Sequence, residues 1–146
     1  MRLGARLALG AAAVELRVEF DNLDYWTRFD GTPVAGQVPF GRPEAVAYAA
    51  LLVADAHALG LAAAQKNTVE LTWSEAREQI GFDFAIAEEC GRWKECGGYR
   101  ALYGNLVFVI EYRLKDYKKD CKKKKLRKNL SIVLRDIDVT TPESKS

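Results

Sequence analysis

The stretch VELRVEFDNLDYW, residues 14 to 26, decides how the chain is read. Its apolar alternation is that of a strand over Leu16 to Phe20, yet Glu19, Asp21 and Asp24 crowd the strand's exit. Four more short apolar runs follow, at Leu61 to Gln65, Phe82 to Ala87, Val107 to Glu111 and Ser131 to Leu134. They end in QKN, AEEC, IEY and LRDID, so polar and mainly acidic groups gather at one end of every strand.

Helical patterns separate most of these runs. Pro43 to Gly60 carries proline in its first turn, Val46, Ala50 and Val53 on one face, and glycine at its C-cap. A second helix opens at a Thr72 or Ser74 cap and closes at Gly81, and a basic one runs from Leu114 to Lys128. Strands alternating with helices predict an α/β fold with a parallel sheet wrapped by helices. In such a sheet all strand exits share one side, so Asp21, Lys66, Glu88, Glu111 and Asp136 are expected to converge on one cleft. The competing reading of each carboxylate is a cap for the helix that follows; five exits in succession favour a site.

Composition bounds the possibilities. With 146 residues, 49% of them hydrophobic, and a formal charge of +2, the chain has material for one core and no overall polyanion-binding bias. No window approaches the roughly 18 apolar residues of a membrane span. Near the N-terminus, Arg6 interrupts the small apolar run and Leu3, Leu7 and Val14 fall at helical spacing, which favours a short amphipathic helix over a secretory signal. The run RLKDYKKDCKKKKLRK, residues 113 to 128, holds ten basic and two acidic side chains. It reads as a solvated outer helix turning Leu114, Tyr117 and Cys121 to the sheet, and no nucleic-acid partner is expected. His57 reads as a helix-surface or packing residue.

Two carboxylates on neighbouring strands suit attack on a glycosidic bond, one protonating the leaving oxygen and the other attacking or stabilising the sugar cation. Tyr25, Trp26, Trp93, Tyr99 and Tyr112, near the strand exits, are candidates to stack on sugar rings. Cys90 and Cys96 enclose five residues, a spacing wider than the usual zinc pattern; disulfide, free thiols and metal remain open on spacing alone.

The ordered motifs VEFDNLDYW, GLAAAQKN, FAIAEECGRWKEC, LVFVIEY and LSIVLRDIDV resemble the glycoside hydrolase family 114 domain, the endo-α-1,4-polygalactosaminidases, over residues 3 to 139. The resemblance implies a (β/α)8 TIM barrel, a hydrolase of α-1,4-linked galactosamine polymers and an extracellular setting; separately, no cofactor or metal is expected. It puts the family's catalytic Asp on Asp21 and its Glu on Glu88, with Asn22, Lys66, Asn67, Glu111 and Tyr112 as substrate contacts. Asp24 and Tyr25 join them as an acidic rim and a stacking ring. A cationic galactosaminan would be drawn to a cleft rimmed by Glu19, Asp24, Glu89, Glu111 and Asp138. Asp21 is expected as nucleophile and Glu88 as acid/base, since burial and the neighbouring Glu89 would raise a proton-donating carboxyl. The resemblance further implies a Cys90–Cys96 disulfide pinning the loop beside Glu88, and leaves Cys121 a free thiol or one without its mate.

The chain departs from the family in three ways. A barrel of this kind takes about 250 residues, so residues 1–139 are expected to hold about the last five of its eight strands, with 140–146 a polar tail. Such a sheet would need an N-terminal half or another copy to complete its cleft, and a non-catalytic remnant or a carbohydrate-binding half-barrel is the alternative function. Ala87 stands where the family motif has Asn, and residues 25 to 42 lengthen the loop after Asp21.

Overall fold

The computed structural model describes residues 17–21, 23–24, 26, 41–123, 128, 130–138 and 140. The expected N-terminal helix and the candidate contacts Asn22 and Tyr25 lie outside the described residues. Five strands form one sheet, β1 (Arg17–Phe20), β2 (Ala62–Lys66), β3 (Phe84–Glu88), β4 (Val107–Glu111) and β5 (Ser131–Leu134). They pair in sequence order and all in parallel. This is the α/β arrangement expected, an incomplete TIM-barrel type of sheet. The strand bounds agree with the sequence reading to within two residues.

Helices pack on one face of the sheet. Helix α1 (Arg42–Ala58) presents Val46, Ala49, Val53 and Ala56 to the sheet, and Ala63, Ala85, Ala87, Val107 and Val109 meet them or the neighbouring helices. The expected face was one step off: Ala49, rather than Ala50, points inward. Alanine on β2 and β3 keeps the sheet's outer surface low, and burying a side chain such as Val53 contributes about 1.5–3 kcal/mol. At the helix start, Glu44 accepts a 2.9 Å hydrogen bond from Gly41 N–H, half of a capping box.

The segment Ser74–Ile80 is wound as a π-helix. Gly81, at φ +88°, ends it, and its N–H donates to the Ala76 carbonyl five residues back. Two elements were not anticipated: the single turn α2 (Cys90–Trp93) and the helix α3 (Cys96–Tyr103). Gly97 and Gly98 depress helical propensity in α3, and burial of Tyr99 and Tyr103 overrides it. The last described helix, α4 (Leu114–Lys122), turns Asp116 and Asp120 inward, while Leu114 is exposed and Tyr117 and Cys121 are only half-buried. The expected apolar face of this helix is therefore corrected to an acidic one. Residues 124–127 and Asn129 lie outside the described residues.

On the opposite face of the sheet, Phe84, Ile86, Phe108, Ile110 and Val133 line an open groove of about 450 Å³. Arg17 lies over the Phe84 and Phe108 rings. Among the described residues no helix is long and apolar enough to cross a membrane.

Candidate active site

Register and the two-residue repeat of a strand decide which exits share a face. Glu19 pairs with Ala64, Lys66 with Ile86, and Glu88 with Ile110. Continuing that alternation, Asp21, Lys66, Glu88 and Tyr112 project from the grooved face, one pleat above the apolar groove.

Lys66 is the centre of the cluster. Its ammonium lies 3.3 Å from Glu88 Oε2 and 3.6 Å from Asp21 Oδ1, so one buried cation bridges the carboxylates of two separate strands. Asn67 clamps Glu88 from the side, its amide donating to Oε2 at 3.0 Å and its Oδ1 accepting from Glu88 N–H at 2.8 Å. The Tyr112 hydroxyl donates to the other oxygen, Oε1.

These contacts settle the charge of Glu88. Burial opposes ionisation, but the bonds from Tyr112 and Asn67 and the Lys66 ammonium outweigh it and hold the carboxyl below its ordinary value. The expectation of a raised Glu88 is corrected: Glu89 turns away to pair with Arg92 at 2.8 Å, and donors surround Glu88 instead. Tyr112 responds reciprocally, its phenol pushed up to about 12 by burial and by the neighbouring carboxylate.

The clamp has a support that sequence reasoning missed. Asn67 and Thr68 both have left-handed backbones, φ 52° and 62°, which is costly for a β-branched threonine. Gln65, fully buried, holds them by donating 2.8 Å hydrogen bonds to the carbonyls of Asn67 and Thr68. Its own Oε1 accepts from Tyr103 at 2.6 Å. A glutamine at an inward strand position was the signal for it.

Other candidates fall elsewhere. Glu111 alternates onto the helix side and is fully buried, its Oε1 accepting from Gly91 N–H at 2.8 Å; it is not a cleft residue. Asp136 also leaves the cluster, accepting hydrogen bonds from the Thr140 N–H and hydroxyl. Ala87 lies in the helix-side core, so this position cannot touch a ligand on the grooved face. Tyr99 is core as well, Trp93 is exposed beside Arg92, and Trp26 packs under Arg42. Asp24 is half-buried after β1. His57 pairs with Asp83 at 2.8 Å, off the strand exits. Cys90 and Cys96 form a disulfide across the turn after Glu88, and Cys121 is a free thiol. Among the described residues no group of three His, Cys, Asp or Glu side chains is placed to hold a metal ion.

A parallel sheet with helices outside and polar side chains gathered at its strand exits has the layout of a barrel-type active site. The sequence model of glycoside-hydrolase family GH114 matches residues 6–145, and the chain belongs to that family. Among solved structures it resembles Aspergillus fumigatus Ega3 in complex with galactosamine, at TM-score 0.66 and 18% identity over 85% of this chain. That match covers 51% of the Ega3 chain, so this chain spans about half the length of its solved relative. No curated protein matches it.

Proposed function

We propose that this chain supplies the catalytic carboxylates of a retaining glycoside hydrolase acting on α-1,4-linked galactosamine polymers. The observation that carries the reading is Lys66 bridging Asp21 and Glu88 on strand exits of one face. Family membership and the galactosamine in the Ega3 complex support the substrate class.

The roles follow from the surroundings of each group. Glu88, held ionised by three donors, is the nucleophile that adds to the anomeric carbon; this reverses the order expected from sequence. Asp21, with 55% of its side chain exposed, is open to water and is assigned the part of acid and then base. Retention asks for carboxyl groups about 5 to 5.5 Å apart, a separation that one shared lysine favours. Tyr112 and Asn67 fix the Glu88 carboxylate, and Asp24 and Glu19 add negative charge for a polycationic substrate. The disulfide supports an oxidising, extracellular setting.

Reducing-end release from de-N-acetylated α-1,4-galactosaminan tests the reading. Release lost in both Asp21→Asn and Glu88→Gln is the expected result; release unchanged in either variant would contradict it. The open groove favours a second reading, a sugar-binding half-barrel, which predicts galactosamine-oligomer binding without release.

A further inference from the structure

The mechanism makes no use of a second acidic group on the other side of the sheet. Glu111 at the end of β4 and Asp120 on α4 are both fully buried, and Asp116 nearly so. Glu111 Oε2 and Asp120 Oδ2 have no hydrogen-bond partner among the described groups. Gly91 shows how closely the two carboxyls meet: a Cβ placed on it would lie 1.4 Å from Asp120 Oδ2 and 2.9 Å from Glu111 Oε1. Asp120 Oδ2 and the Gly91-bonded Glu111 Oε1 thus border the same small space over Gly91, which only a glycine leaves empty, and this brings the two carboxyl groups together.

The cations nearby among the described residues are engaged at the periphery. Lys123 reaches Asp120 Oδ1 at 3.0 Å, Arg113 lies 2.8 Å from Asp116 Oδ2, and Lys119 donates to the Gly91 carbonyl at 3.3 Å. Glu89 faces the group from the turn before α2 and is paired with Arg92. None of these cations reaches the two unpartnered oxygens, and two full negative charges there would repel in a dry site.

We propose that Glu111 and Asp120 hold one proton between them and form a carboxyl–carboxylate pair that positions the turn following Glu88. Glu111 carries the proton and Asp120 Oδ2 accepts the hydrogen bond. The Gly91 N–H, bonded to Glu111 Oε1, ties the start of α2 to the pair. Glu88 stands three residues before Gly91, so Glu111 and Asp120 are positioning residues for the candidate nucleophile. That consequence rests on the proposed function; the pair itself does not. Burial raises the Glu111 carboxyl, and the charges of Asp120, Asp116 and Glu89 raise it further against the opposing Gly91 N–H.

Linkage gives the pair a sign. A carboxyl raised in the folded state binds its proton more tightly there than in the unfolded chain, so stability falls as pH rises above the ordinary value of 4.5, until the folded group ionises. The unfolding constant should climb by about tenfold per pH unit in that window. Glutamine reproduces a neutral carboxyl, so Glu111→Gln should remove this climb and Glu111→Ala should be less stable than Glu111→Gln at every pH.

The experiment is denaturant unfolding of the full chain from pH 4.5 to 8, wild type beside both variants, with infrared spectra at neutral pH. The expected result is a slope in the wild type that Glu111→Gln lacks, and a protonated-carboxyl C=O band lost in Glu111→Gln. Parallel slopes, a Glu111→Gln chain that cannot fold, or stabilisation by added calcium would each overturn the proposal. None of these readouts requires activity, so they stand apart from failure of the hydrolase reading.

Discussion

The two acidic clusters that flank the sheet differ in what surrounds them, although the same residue types build both. On the grooved face Glu88 meets a tyrosine hydroxyl, an asparagine amide and a lysine, and is held ionised. On the helix face Glu111 meets one backbone N–H and two aspartates, and burial pushes its carboxyl up. Glu111 and Tyr112 are adjacent in sequence, yet strand alternation sends one into the dry side and the other into the site. A carboxylate's role is set by the face it leaves from and by the donors waiting there, more than by its place at a strand exit.

The largest effect expected from disturbing this contrast comes from Gly91→Ala. Its methyl would strike Asp120, and an overpacking loss of about 3 kcal/mol in denaturant unfolding is expected. Lys66→Met should cost about 1–2 kcal/mol at neutral pH by removing the cation shared by Asp21 and Glu88. Glu88's depressed carboxyl contributes stability above its ordinary value of 4.5, and that contribution is lost as pH falls through the folded value. Lys66→Met should therefore also shrink the acid limb of the stability profile. Tyr112→Phe should cost about 1 kcal/mol and weaken the hold on Glu88. The wild type should also lose stability between pH 10 and about 12, where the raised phenol resists ionising in the folded state; Tyr112→Phe should lose less, the buried Tyr99 and Tyr103 phenols, also raised, supplying the remainder.

The strands were legible because each is a short run rich in apolar residues ending in polar ones, and their parallel order followed from the helices between them. Asp21, Lys66, Asn67, Glu88 and Tyr112 were legible as a group through motif resemblance, and alternation places four of them on one face. Glu111 was misplaced because strand exits were counted without their parity. The inner face of α4 was misread for a related reason: Asp116 and Asp120 look like solvent residues until Glu111 and Gly91 are seen beneath them. Gln65 escaped notice because its work is done on backbone carbonyls held in a left-handed turn, which sequence patterns do not display.

The contrast between the faces is tested most directly by carbon-13 titration of the glutamate side-chain carboxyls in the folded chain, with Glu88→Gln and Glu111→Gln assigning the two resonances. Glu88 should titrate below the ordinary value of 4.5 and Glu111 above it. The two resonances moving together near 4.5, or in the reverse order, would contradict the account.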